Sequence, residues 1–574
     1  MDEKRKEELK KLIMGRQAKL ESNRAPMVDI WNKVGDFVNI GLGPISNQTN
    51  DIKTFLGGLG KRVYNGSAIS AAILATDGIH GYHVSPAFPW FSYMMSRNVL
   101  NKVPEITEWL QDEKEEVYSA LNNSNFYSEM WNFIYNGFTV GTVSIYGEMD
   151  YDTGRMVFET IHPREAFFTE NKYGIVDVFH RKYRLSAKKL YERFGDKVPQ
   201  SIKTAYKNSP FDEFEVIHAC FPREERDTRK KDKLNKKYCS VWFATGSGDI
   251  MDESGFDEFP YAVWRYMKFS GYDYGLSPAI MAMADIESLN IISKTMLGAA
   301  QLYVDPPLNV PSDYVGQVQW KPRGINPYDK ENMFIRPAQL TGQYPVGVDR
   351  EERIERSIKE RFHVDTFLML SSLERGNRTA YEVSEMMGEK AAILGAELAP
   401  LNAQMDKILD LVYFLKAGTH PENGGTINPM PDIMHELIME GDSFSPIYLG
   451  PLAQAQRRLY KTQGMQGAIE AIIPIIKISP KSARVIKGDE SLRVILESFN
   501  YPQSAIASED EIREMDEQEA EAAKQLQMKD ELMQLAQGAK TVSETDKNMG
   551  GVIANGINQG MGENQGAVTN EQQT

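Results

Sequence analysis

Residues 259–311, FPYAVWRYMKFSGYDYGLSPAIMAMADIESLNIISKTMLGAAQLYVDPPLNVP, decide how the chain is read. An aromatic, strand-like start leads through a Gly-rich turn into a long helix that stops at paired prolines. Ser277 is a good N-cap and Pro278 suits a first helical turn, whereas Pro306 and Pro307 lack the amide hydrogens that a continuing helix needs. Between these breakers Ile280, Met283, Leu289, Ile292, Met296, Ala299 and Tyr303 recur mostly at three- and four-residue steps, which predicts one apolar face. Glu287, Lys294 and Gln301 stand on another. At 1.5 Å per residue, a helix over 277–304 is a rod roughly 42 Å long.

Downstream of the rod, residues 305–348 are rich in Pro, Gly, Tyr and Asn, and read as a small β insertion between two helices. A second rod, 349–370, is crowded with charge in its first half and places Glu355 and Lys359 in the favourable i,i+4 order. The polar stretch 371–378, SSLERGNR, breaks that helix, and Thr379 with Glu382 forms a capping box for the next. That third helix, 379–417, keeps apolar residues from Val383 to Val412 at a 3.5-like period. Pro400 removes a bond to the Ala396 carbonyl, which predicts a kink. Beyond residue 418 the composition turns to Gly, Pro and Asn and then to short helices, and after Lys540 to a Gly-, Asn- and Gln-rich tail.

Upstream, residues 1–40 read as two helices, the second opened by Pro26. Residues 65–93 read as a small-residue helix and a Pro-rich extension, and 104–135 as helical. Residues 138–184 alternate in the manner of strands. The segment 216–243 reads as a hairpin whose charged run, Arg223 to Lys237, is a solvated loop or a partner contact. The fold class expected is α+β, mainly helical.

Bulk properties exclude several functions. With 574 residues the chain is too long for one core, and 41% hydrophobic with 25% charged residues suits a globular protein. The two cysteines, Cys220 and Cys239, have no zinc spacing. The N-terminus lacks a signal-peptide apolar run, and no 18 consecutive apolar residues occur, so no membrane-spanning segment is expected. A net charge of −15 argues against a surface that grips nucleic acid throughout. The run from Gly57 to Arg62 lacks the spacing and hydroxyl of a phosphate loop, and Met439 stands where a second metal-binding histidine would follow His435-Glu436. No catalytic, cofactor or metal constellation emerges. Trp90, Phe91, Trp264, Tyr272 and Tyr274 could stack bases, but with few Lys and Arg among them they read better as core or subunit contacts.

Phe259-Pro260, Tyr274-Gly275-Leu276-Ser277-Pro278-Ala279, Asp285-Ile286, Leu289-Asn290 and Asp305-Pro306-Pro307-Leu308 resemble portal (head-to-tail connector) proteins of short-tailed, T7-like bacteriophages. So do, in the same order, residues 75–91, 181–195, 351–383 and 450–457. The likeness spans roughly residues 25–510; the tail after Gln537 carries no such pattern.

The resemblance implies a portal fold with wing, stem, clip and crown, assembled as a cyclic ring. On this chain 1–276 would be the wing, 277–304 the first stem helix, 305–348 the clip, 349–370 the second stem helix, and 371–378 the tunnel loop. Residues 379–417 would be the kinked helix, 418–537 the crown, and 538–574 a flexible tail. It further implies a homo-dodecamer at one capsid vertex of the virion, assembled in the host bacterial cytoplasm with capsid and scaffolding proteins. Through that ring the terminase large subunit would drive double-stranded DNA, and to it a tail adaptor would dock. Such a protein is not an enzyme and has no cofactor.

The residues expected at the DNA channel are Lys294 and, in the tunnel loop, Glu374, Arg375, Asn377 and Arg378. Lys294 could equally pair with a carboxylate on the adjoining helix. Trp320, Lys321 and Arg323 are expected in the clip that contacts the adaptor, although Trp320 reads better as the core of a tiny β unit. Leu289, Ile292 and Met296 are expected to pack between subunits, and Pro400 marks the kink. The alternatives are a scaffolding or tail structural protein, and a DNA-processing enzyme, for which neither a phosphate loop nor an acidic metal cluster is present.

Overall fold

The computed structural model describes residues 3–45, 62–304, 344–372, 380–418 and 430–450, apart from residues 98, 151, 228 and 231; it adds two two-residue strands at 308–309 and 336–337 and a few helical residues between 515 and 529. Two compact units divide the chain, Met1–Met465 and Gln466–Thr574. In the second, only those few exposed helical residues are described. Everything below concerns the first.

Strands and helices mix, as α+β requires. The order begins α1 (Glu3–Phe37), α2 (Ser67–His83), β1 (Phe91–Met95), α3 (Pro104–Asn122), α4 (Phe126–Val140), β2 (Thr142–Asp150), β3 (Arg155–Ile161), β4 (Ala166–Glu170) and β5 (Val176–Ser186). It continues with α5 (Ala187–Phe194), α6 (Gln200–Asn208), β6 (Glu213–Pro222), β7 (Tyr238–Ala244), β8 (Asp249–Phe256) and β9 (Tyr261–Arg265). Then come α7 (Pro278–Met281), α8 (Met283–Val304), β10 (Leu308–Asn309), β11 (Arg336–Pro337), α9 (Tyr344–Arg361), α10 (Val364–Ser372), α11 (Ala380–Gly418), α12 (Asp432–Met439) and β12 (Phe444–Tyr448).

Strands β4-β5-β6-β7-β8 form one antiparallel sheet. Its two faces follow from the two-residue side-chain period. Trp242 and Ala244 of β7 pack with Leu190 and Ile202 of α5 and α6, while Val241 and Phe243 pack with Ile13 of α1. Covered on both sides, β7 is a continuous apolar run in place of an alternating one. The charged run Arg223 to Lys237 is the connection from β6 to β7. A second antiparallel sheet, β3-β2-β9, lies against α4 and α11; its Trp264 is buried beside Phe133. Trp90, Phe91, Trp264 and Tyr274 are all in the core, and Tyr272 is exposed.

Several expectations need correction. Residues 1–40 are one helix into which Pro26 is absorbed. Contacts on both sides hold it: Leu20, Met27 and Trp31 are buried, the Trp31 indole donates to the Val140 carbonyl at 3.1 Å, and the Arg24 guanidinium lies 3.9 Å over the Phe167 ring. Residues 104–135 are helical as expected, in two helices, since Ser124 and Asn125 turn the chain between α3 and α4. The first rod has a one-residue turn at Ala282, although hydrogen bonds continue across it from Ala282 to Pro278 and from Ile286 to Ala282, both at 2.9 Å.

The second rod starts earlier than expected, at Tyr344 within the presumed insertion, and is cut in two by His363 at φ 53°. That left-handed residue re-aims the chain so that Phe362, Val364 and Phe367 all enter the core. A Cβ on Gly78 of α2 would overlap the Phe367 ring, so only glycine allows this approach. The third helix runs unbroken as α11 with Pro400 inside it.

Candidate functional site

The rods α8 and α9 meet along a seam with an apolar side and a polar one. Ser277 caps the entry as its type predicts: its Oγ accepts from the Ile280 amide at 2.9 Å and donates to the Thr139 carbonyl at 2.7 Å. On the apolar side Ile286, Leu289, Ile354, Ile358 and Phe362 share one core with the small residues Ala68, Ala71, Ala72 and Ala75 of α2. Alanines let helix axes approach closely, and the rods thus share a core with the N-terminal part of their own chain.

On the polar side, Ser293 donates to Glu351, and the Asn65 amide donates to Glu355 at 2.9 Å and to Glu351 at 3.4 Å. Glu355 is therefore held by Asn65, a partner that the i,i+4 reading with Lys359 did not anticipate. Asn290 receives the Tyr64 amide at 2.7 Å and donates to the Arg62 carbonyl at 2.8 Å. Asp285 takes the Ser357 hydroxyl at 3.0 Å, with Arg361 at 3.5 Å. The strap 62–65 thus stitches both rods, a tie that the sequence analysis did not anticipate.

The expected site residues divide sharply. Leu289 is 2% exposed inside its own chain, so it is a core residue and needs no neighbour to cover it. Ile292 is half-buried against the same core. Met296 is half-buried too, and a Cβ on Gly347 of α9 would overlap its thioether. Leu289 is thus covered by the core of its own chain, in which α9 packs along α8, while Ile292 and Met296 keep part of their surface open. What α8 leaves exposed is Ile291, at 65%, and Leu297, at 52%. Lys294 is exposed, with its Nζ 5.5 Å from the Tyr64 ring centroid, a cation–π arrangement and not the carboxylate pair considered for it. Glu374, Arg375, Asn377 and Arg378 lie outside the described residues, as do Trp320, Lys321 and Arg323. The antiparallel pair of β10 with β11 shows that residues 305–348 contain strand. Pro400 is exposed on α11.

Helix α11 is anchored by buried polar contacts. His83 Nε2 lies 2.6 Å from Asn402 Oδ1, and the Tyr448 hydroxyl donates to Asp406 at 2.5 Å and to the Asn402 carbonyl at 3.0 Å. Burial pushes the His83 imidazole down to about 4 and raises the Asp406 carboxyl. At its far end Lys416 lies 3.0 Å from Glu113 and 3.1 Å from Glu116 of α3. On β6, His218 is sealed between the Tyr261 hydroxyl, at 2.7 Å, and the Ser240 hydroxyl, at 2.9 Å. Each is a structural tie between distant segments. Among the described residues no three His, Cys, Asp or Glu side chains converge as a metal site, and no helix is long and apolar enough to cross a membrane.

A relative named "Portal protein", from Salmonella phage epsilon15, is 26% identical over 552 residues, covering 93% of this chain and 96% of its own length. A "Probable portal protein" from Bordetella phage BPP-1 is 25% identical over 485 residues, with 81% and 84% covered. The model of the family described as bacteriophage head to tail connecting protein matches residues 10–506. With so much of its length matched, the chain belongs to the bacteriophage head to tail connecting protein family.

Proposed function

We propose that this chain is a portal subunit, twelve copies of which form a closed ring at one capsid vertex. Double-stranded DNA is driven inward through the ring by a separate terminase and later leaves through it, and a tail adaptor docks on residues 305–348. The subunit is a structural connector of the virion and not an enzyme. The observation that carries this reading is the family match across residues 10–506, which takes in the rods, the segment between them and α11 in a single order.

Charge supports passage over binding. Twelve copies, each at −15, carry roughly −180, against about one negative charge per 1.7 Å of duplex, so most of the wall repels DNA. Lys294, Arg375 and Arg378 are the cations assigned to brief phosphate contacts.

Negative-stain images of the purified protein test the reading. Rings with a central hole are expected; monomers or open filaments overturn it. Deleting residues 312–340 should then permit packaging yet yield tail-less heads, and unchanged tail attachment removes the docking role from that segment.

A further inference from the structure

The connection from β6 to β7 is a built, positively charged surface in an acidic protein. Residues 223–237 hold eight Lys and Arg against four Asp and Glu, so the rest of the chain carries −19. At its base the cations are spent within the fold: Arg223 on Glu253 at 2.7 Å, Lys236 on Asp257 at 2.8 Å, Lys237 on Glu258 at 3.2 Å. The tip is shaped by its own polar groups. Asn235 Oδ1 accepts from the Asp227 amide at 2.9 Å, and the Lys230 amide donates to the Asp227 carbonyl at 3.1 Å. Arg226, Lys230 and Lys233 stand exposed on it, in no ion pair with any described residue, beside the exposed Leu234.

Helix α3 presents the opposite charge. Its buried stripe, Ile106, Trp109, Leu110 and Val117, faces the core, which leaves Glu105, Glu108, Asp112 and Glu115 exposed along the other side. None of these four carboxylates forms an ion pair with a described Lys or Arg. The two surfaces belong to different parts of the wing: the connection leaves the sheet that packs on α1, α5 and α6, whereas α3 belongs to the core shared with α8, α9 and α11.

We propose that the β6–β7 connection of one copy docks on the acidic face of α3 in the next copy. A cyclic ring needs two different, complementary patches on each subunit, and a positive patch apart from a negative one on the same chain supplies them. Each exposed pair contributes little, and together they steer the encounter and set its register. This proposal rests on the ring reading above.

The test uses the full chain at about 0.15 M ionic strength, where such pairs are only partly screened. One variant carries Arg226→Glu, Lys230→Glu and Lys233→Glu; the other carries Glu108→Lys, Asp112→Lys and Glu115→Lys. All six positions are exposed, and thermal unfolding checks that both variants fold. Mass photometry of each alone should show the fraction of subunits in rings reduced about tenfold, as a few lost and reversed pairs imply. Mixed at equal amounts, the two should regain rings, since strict alternation opposes unlike charges at every contact. Rings at wild-type level from either variant alone, or no recovery on mixing, overturn the proposal. So does a loop variant that assembles normally but retains less duplex DNA in a gel-shift assay, which would make the loop a phosphate contact. A wild-type chain that forms no rings in any buffer fails the ring reading itself, and this contact with it.

Discussion

Lys416 at the C-terminal end of α11 lies 3.0 Å from Glu113 in the middle of α3, with the two side chains 10% and 2% exposed. A nearly dry ion pair thus ties together helices 303 residues apart in sequence. It holds the C-terminal end of α11 to α3.

Removing one partner leaves a buried charge uncompensated. Lys416→Met should therefore lower the stability of the folded chain by about 3–5 kcal/mol, read by denaturant unfolding. Adding Glu113→Leu to the same chain should recover most of that loss. Equal losses in the single and double variants would mean that the pair is not coupled.

Buried neutral histidines make the fold sensitive to acid. Burial holds His83 at about 4, and burial with the nearby Arg16 holds His180 at about 3, both below the ordinary imidazole value of 6.5. Between pH 6.5 and 4 the unfolded chain binds protons that the folded chain refuses, so stability is present above pH 6.5 and is lost as the pH falls through that window. For His83 the loss is roughly 3 kcal/mol. His83→Gln should flatten the curve of urea midpoint against pH between 6.5 and 4; a curve parallel to wild type would show that His83 is not titrating there.

The two faces of α8 should respond differently. Leu289→Ala removes a core side chain and should cost about 2–5 kcal/mol in a single subunit, before any assembly. Replacing Ile291 and Leu297 by Asp should leave unfolding unchanged and weaken rings, because those side chains are exposed in the subunit. Circular dichroism melts beside mass photometry separate the outcomes. Intact rings from the Ile291 and Leu297 variant would remove this face from the subunit contact.

Changing both Arg375 and Arg378 to Ser should keep ring assembly and reduce the DNA retained per head. Packaged length and retention both unchanged would take these residues out of the channel.

The sequence alone settled the local features. Ser277 and Pro278 begin a helix because a hydroxyl cap and a proline without an amide act on neighbours within one turn, and the structure has that cap. The strands between residues 138 and 184, the connection at Arg223 to Lys237 and the burial of Trp90, Phe91 and Trp264 were legible from period and composition. Pro26 and His363 were not. A helix that absorbs proline, and a histidine with φ of 53°, are selected by burial of Trp31 on one side and of Phe362 and Phe367 on the other, contacts that no window of sequence contains. The same limit governs the site. Periodicity shows that Leu289 faces something apolar, but apolar attraction is non-directional, so the pattern cannot say whether the same chain or a neighbouring copy provides the cover. Tertiary structure assigned Leu289 to the core of its own chain, Glu355 to Asn65 and Lys416 to Glu113, because the partner of a buried group is decided by which distant segments the whole chain can bring within a few ångströms at once.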